Sequence, residues 1–169
     1  MEYVIPNFIP YGQKIDDITL SMELGSEAPG YNEDRPSDIH FLLDGIPIAM
    51  WTAPGDYGTQ RGIFTPDWWY EDWNQYGLLK ALQINHRGTF IDGVRKSDVT
   101  IDTFGYTDKS TIHLRLSVPE DAEHVGGLTI FGRSFGNYSQ DIRVRITYSP
   151  ISASEGSRPV SAHTLPARE

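Results

Sequence analysis

The stretch Ile39-His40-Phe41-Leu42-Leu43-Asp44-Gly45-Ile46-Pro47-Ile48-Ala49-Met50-Trp51 reads as two strands joined by a two-residue Asp-Gly link. Such a link favours a type I′ turn, whose twist matches that of a β-hairpin. A turn this short also sets the register. Leu43 is expected opposite Ile46, Phe41 opposite Ile48 and Ile39 opposite Met50 on one wholly apolar face. Leu42–Pro47, His40–Ala49 and Asp38–Trp51 then fall on the other. Pro47 cannot donate to a ladder, so the second strand is expected at a sheet edge. On this register Trp51 projects from the face turned away from the core.

Working outward, the same period of two recurs: Ile18, Leu20, Met22 and Leu24 alternate with Thr19, Ser21 and Glu23. Ile112, Leu114, Leu116 and Val118 alternate with Thr111, His113, Arg115 and Ser117, and Ile142, Val144, Ile146 and Tyr148 with Asp141, Arg143, Arg145 and Thr147. Each pattern describes a strand with one buried face. Weaker strands are expected at 3–8, 78–86, 97–104 and 125–131, about nine or ten in all. With 16 glycines and 11 prolines in 169 residues, the chain suits a turn-rich antiparallel two-sheet β-sandwich, jelly-roll-like, rather than a helix bundle. The length predicts one domain. Thr65-Pro66-Asp67 supplies the start signals of one helical turn, in which Trp69 and Trp73 would share a face and Trp68 point elsewhere. Residues 149–169 carry Ile151, Val160 and Leu165 as their only large aliphatics. Ordering them costs roughly 20 kcal/mol against at most about 9 kcal/mol from burial. The expected domain is therefore 1–148, with 149–169 a disordered tail.

Composition excludes several classes. There is no cysteine, hence no disulfide, thiolate metal site or cysteine nucleophile. Net charge is −9, with 13 acids and 3 Lys/Arg in residues 1–75 and 10 against 11 in residues 76–169. A chain without a basic footprint is not expected to bind nucleic acid directly. It has no apolar run of membrane length and no signal-peptide pattern at Met1–Pro10, so a cytoplasmic location and no membrane partner are expected. His40, His86, His113, His124 and His163 show no metal-ligand spacing, so neither metal nor cofactor is expected. No nucleophile elbow or phosphate-cradling glycine loop is present. Two carboxylates at glycosidase separation are a weak criterion where 23 acids guarantee some such pair.

Aromatic residues are more informative: Trp51, Tyr57, Trp68, Trp69, Tyr70, Trp73 and Tyr76 crowd into 26 residues. Packing in core and loops is the plainest use for them. Two features point further. Adjacent Trp68 and Trp69 cannot both face one core, and the hairpin register sets Trp51 beside Asp38 and His40. Flat aromatic faces next to Asp, His and Arg suit sugars or other small polar ligands. The candidate ligand-binding residues are therefore Trp51, Tyr57, Trp68, Trp69, Asp38, His40 and Arg115. A second set, Arg115, Arg143, Arg145 and His113, reads as a solvated sheet face or as a pocket floor pairing with Glu23 or Asp38.

Several runs carry a family likeness: Leu20-Ser21-Met22-Glu23-Leu24-Gly25-Ser26-Glu27, Trp51-Thr52-Ala53-Pro54-Gly55-Asp56-Tyr57-Gly58, Pro66-Asp67-Trp68-Trp69, Gln75-Tyr76-Gly77-Leu78-Leu79-Lys80, Gly88-Thr89-Phe90-Ile91-Asp92-Gly93, His124-Val125-Gly126-Gly127 and Phe135-Gly136-Asn137-Tyr138-Ser139-Gln140-Asp141-Ile142. Together they resemble the C-terminal module of bacterial ArsR-like helix-turn-helix transcriptional regulators, chiefly of Firmicutes, over about three quarters of the chain. The resemblance implies a β-rich module that senses a ligand or mediates assembly beside a winged-helix DNA-binding domain. This chain starts almost directly with strand-like Tyr3–Phe8, so that domain is expected to be missing. No ligand residues follow from the resemblance.

The expected function is thus a non-catalytic sensing or assembly module for a small polar ligand, sugars included. A homodimer or a separate helix-turn-helix protein is its expected partner. A free-standing carbohydrate-binding module is the alternative, and a glycoside hydrolase comes third.

Overall fold

The computed structural model describes residues 1–152. Ten strands form two antiparallel sheets facing each other across one core, the β-sandwich that the alternation requires. Sheet A has the order β1-β8-β3-β4, built from Glu2–Pro6 (β1), Thr111–Ser117 (β8), Ser37–Leu43 (β3) and Ile46–Ala53 (β4). Sheet B has the order β10-β2-β5-β6-β7, from Arg143–Pro150, Gln13–Gly25, Leu78–Asn85, Gly88–Ile91 and Val94–Ser97. Short β9 (Thr129–Phe131) joins the C-terminal end of β2. As in a jelly roll, the chain passes repeatedly from one sheet to the other. Among the described residues no helix is long and apolar enough to cross a membrane.

The core follows the predicted periods closely. Ile18, Leu20, Met22 and Leu24 of β2 are almost fully buried, and so are Ile112, Leu114 and Leu116 of β8 and Ile39, Phe41 and Leu43 of β3. With about 1.5–3 kcal/mol for each such side chain buried, this layer is the principal source of stability. β10 departs from the expected pattern. It is an edge strand whose register with β2 shifts between Thr147 and Tyr148, where Asp16 of β2 is the extra residue, and Val144 and Tyr148 stay exposed.

The hairpin turn forms as expected, with φ 47° at Asp44 and 82° at Gly45. A second Asp-Gly pair, Asp92-Gly93 at φ 51° and 80°, makes an equivalent turn between β6 and β7 that the sequence reading passed over. β4 is an edge strand, as Pro47 demanded. The register, however, holds for only two pairs. Beyond Leu43–Ile46 and Leu42–Pro47 a bulge intervenes, and the pairs become Phe41–Ala49, His40–Met50, Ile39–Trp51 and Asp38–Thr52. Pro47 supplies no ladder hydrogen bond, so an extra residue is accommodated next to it. Ile48 is that residue, and it fills the core at 1% exposure. The bulge moves every later side chain of β4 to the opposite face. Trp51 therefore turns inward and packs, half-buried, against the core, while Met50 takes the outer face.

Three further expectations are corrected. The 97–104 strand is replaced by the end of β7 and a single 3-10 turn at Ile101–Thr103, after which Phe104 and Tyr106 stack at 5.3 Å and stop one end of the sandwich. Residues 65–73 form two successive reverse turns, closed by Trp69 N–H to the Pro66 carbonyl at 3.0 Å and Trp73 N–H to the Tyr70 carbonyl at 3.3 Å, instead of a helical turn. The tail does not begin at 149: β10 runs to Pro150 along β2, and Ile151 N–H donates to the Gly12 carbonyl at 2.8 Å. Ladder hydrogen bonds hold this segment, which a count of buried side chains misses. The rest of the expected tail, 153–169, lies outside the described residues.

Candidate functional site

The loops spanning 26–36, 54–77 and 132–142 gather at one end of the sandwich, held together mainly by hydrogen bonds. Asp56, fully buried, accepts from the backbone N–H of Ala28 at 2.7 Å and of Asn32 at 2.9 Å. Burial pushes its carboxyl up, against the pull of those two donors. Gln75 donates from one amide nitrogen to the carbonyls of Tyr70 (2.6 Å) and Trp73 (2.8 Å), which fixes the second reverse turn. Thr65 Oγ1 donates to the Gln75 carbonyl and accepts from Gly136 N–H, tying the second loop to the third.

Beneath them lies Glu23, 1% exposed on the outer side of β2. Its Oε1 accepts from Gly77 N–H at 2.9 Å, and both oxygens accept from Asn137 N–H. Oε2 also accepts from Tyr138 N–H at 3.0 Å. Alternation assigned Glu23 to solvent; instead the 132–142 excursion between β9 and β10 covers it. Gly136 lets the chain come this close: its φ is 73°, and a Cβ there would stand 2.3 Å from Glu23 Oε1.

On this frame sits an aromatic cluster centred on Trp69. Its ring makes perpendicular contacts with Trp73 (5.1 Å), Phe135 (5.2 Å) and Trp68 (5.8 Å), and its Nε1–H donates to the Asn74 carbonyl at 3.0 Å. Trp68 is 70% exposed, Tyr70 63% and Trp73 44%, so the cluster is open to ligand on its outer side. Tyr57 stacks flat on Tyr76 at 5.1 Å, at the base of the same loop. Against Trp69 and Trp73 opens a cleft of about 490 Å³, whose other walls include Glu27, Asn74, Thr129 and Phe131. A larger depression of about 560 Å³ beside Asp44, Lys109 and His113 has no aromatic wall.

The structure thus brings Tyr57, Trp68 and Trp69 to one end of the molecule and places the other four candidates elsewhere. Trp51 lies beneath Lys80, whose Nζ sits 4.7 Å from the ring centre and pairs with Asp92 at 2.8 Å. Asp38 is a structural anchor: it accepts from Thr52 Oγ1 at 2.7 Å and from His124 N–H at 3.0 Å. The Thr52 hydroxyl, helped by His124, holds its carboxyl below the usual range despite burial. His40 and Arg115 share the outer face of sheet A, Arg115 opposite Leu42. Arg143 and Arg145 belong to sheet B, so the four-residue basic set is divided between sheets, and neither Glu23 nor Asp38 pairs with it.

His86 is drawn up in pKa chiefly by its hydrogen bond to Asp102 (2.9 Å), with Asp16 on its other nitrogen, an exposed group away from the cleft. Among the described residues no group of three or more His, Asp or Glu is placed to hold a metal ion. Asp56, Asn74 and Gln75 carry no site signal in the sequence, and Glu23 is suggested there only as a partner for the basic set. Only Trp73, four residues from Trp69, carried a local signal. No family model, curated protein or solved structure matches this chain.

Proposed function

We propose that this chain is a non-catalytic binding module for a small ligand, of the sensing or assembly kind that its resemblance to ArsR-like regulators implies, with the ligand in the Trp69–Trp73 cleft. The observation that carries the reading is an exposed aromatic cluster held by rigid, non-local hydrogen bonds. Isolated exposed apolar residues need no explanation, but a contiguous exposed patch marks an interaction site. A cleft of about 490 Å³ falls within the size range of small-molecule sites. The non-catalytic part is supported by the buried acids: Glu23, Asp38 and Asp56 are each occupied with backbone N–H groups that hold loops in place. Occupancy of the cleft would bias the loops or a protein contact beside them.

A thermal-shift screen of metabolites and sugars tests this. A ligand at 100 times its dissociation constant should stabilise the fold by about 2.7 kcal/mol, and Trp73→Ala should abolish that shift while leaving the protein folded. A hit whose shift survives Trp73→Ala would move the site elsewhere. A hydrolytic activity on a glycoside panel, lost on replacing one acid, would overturn the non-catalytic assignment.

A further inference from the structure

Resting on that reading of the cleft, we propose that its ligand is an organic cation, an ammonium group on a small apolar body. The first support is charge. Loop residues 26–36 and 54–77 contain seven acids, Glu27, Glu33, Asp34, Asp56, Asp67, Glu71 and Asp72, against Arg35 and Arg61. Arg61, held by the carbonyls of Pro66 and Trp69, keeps its charge but is outnumbered, and in the third loop Arg133 is cancelled by Asp141. The aromatic end therefore sits in a negative field that attracts cations and repels phosphates or carboxylates.

The second support is the hydrogen-bonding character of the wall. Its donors are largely spent inside the protein: Trp69 Nε1–H on Asn74, the Thr129 hydroxyl on Glu27 and Ala28 N–H on Asp56. Apart from the indole N–H of Trp73, what remains is acceptor. Glu27 is exposed with its carboxylate at the cleft. Asn74, 7% exposed, gives its amide N–H₂ to the Ser26 carbonyl, which fixes the flip of the side chain and leaves Oδ1 without a partner. That oxygen is closed off from solvent, so the acceptor a ligand can reach is the Glu27 carboxylate.

The third support is the arrangement of the rings. Trp69 and Trp73 meet at 89°, so they form a corner rather than one flat platform. A pyranose ring stacks best on a flat face, whereas a cation is attracted to ring faces from several directions at once.

The test uses choline, its neutral carbon isostere 3,3-dimethyl-1-butanol, and glucose. Each is titrated into the full chain while the indole N–H signals of Trp69 and Trp73 are followed by NMR. Choline should move both signals saturably and bind at least about tenfold more tightly than the isostere. Added salt should weaken it, and Glu27→Gln should weaken choline alone. Gln retains an acceptor for Thr129, so this variant should remain folded. If the isostere or glucose binds as tightly as choline, the cation proposal fails and the ligand site stands. If none of the three moves these signals, the cation proposal fails, and the wider screen then decides whether the cleft is a site at all.

Discussion

Glu23 offers a demanding test, because a residue that pattern assigns to solvent is here the support of the whole aromatic end. Replacing it with Gln keeps the shape but turns one oxygen into an N–H₂ group. In either flip, one of two backbone donors, Gly77 N–H or Tyr138 N–H, faces another donor, while Asn137 can keep the remaining oxygen. A buried N–H left unpaired costs about 1–3 kcal/mol, and loss of a charged acceptor adds a similar amount, so Glu23→Gln should cost about 2–6 kcal/mol. Glu23→Ala strands all three donors and should cost more, limited by how far the 136–138 turn can swing out to water. Because these bonds hold loops rather than the sandwich, the loss should appear first in tryptophan fluorescence and near-UV circular dichroism, ahead of the far-UV transition in urea. Gly136→Ala attacks the same contact from the other side, through its φ of 73° and the 2.3 Å approach. Its cost should combine with that of Glu23→Gln less than additively. A Glu23→Gln protein within about 0.5 kcal/mol of the parent, with coincident transitions, would refute this reasoning.

Trp51→Ala should cost about 2–3 kcal/mol in urea unfolding, as expected of a side chain turned toward the core, whereas Met50→Ala should cost well under 1 kcal/mol; the reverse order would restore the unbulged register. Trp69→Ala should cost at least about 2 kcal/mol and Trp68→Ala less than 1 kcal/mol, since Trp69 touches three rings and bonds to Asn74 while Trp68 is mostly in solvent. Asp38 has a folded pKa below its unfolded value, because Thr52 and His124 favour the charged form. Its stabilisation is therefore complete above the unfolded pKa and is lost as pH falls through the folded one. Asp38→Asn should flatten that part of a plot of urea midpoint against pH. Asp56 runs the other way: burial raises its pKa, so its contribution is greatest at low pH and declines as pH rises from the unfolded value through the folded one. Asp56→Asn should remove that decline, and an unchanged slope would show that Asp56 is not the group responsible.

The two sheets were legible because core strands obey a period of two wherever one face is buried, and β2 and β8 do so almost without exception. Their turns were legible where φ must be positive, as at Asp44-Gly45. Legibility ended where one backbone event changed parity. Pro47 permits a bulge beside Ile48 without requiring one; the choice is settled by how well Ile48 and Trp51 fill the space between the sheets, which is a property of both layers. The buried acids were hidden for a related reason. Glu23 has its polar neighbours at the expected spacing, and only a loop more than a hundred residues away turns its solvent into protein. Trp68 and Trp69 were recognisable as a pair that one core could not absorb, so that part of the site survived, while Asp38, His40 and Arg115 did not join it.

Turning Trp51 inward also decides where ligand contact area can be. Sheet A keeps His40, Met50 and Arg115 on its outer face, with no aromatic platform among them. The exposed tryptophan rings are then on loops, and the hydrogen bonds that stabilise those loops also determine how often the cleft is formed. If the loops are closed a fraction f of the time, the apparent dissociation constant is the intrinsic one divided by f. If f is near one in the parent protein, weakening the Glu23 network changes little until loop closure ceases to be favourable. Beyond that point, each further 1.4 kcal/mol should cost about tenfold in affinity. Once its cost exceeds the free energy that keeps the loops closed, Glu23→Gln should weaken a cleft ligand even though Glu23 is not itself a wall of the cleft. Trp73→Phe should weaken it by direct loss of contact, with loop closure unchanged. The two variants separate in one measurement: added stabilising osmolyte, which favours the closed loops, should restore affinity to Glu23→Gln and leave Trp73→Phe as weak as before.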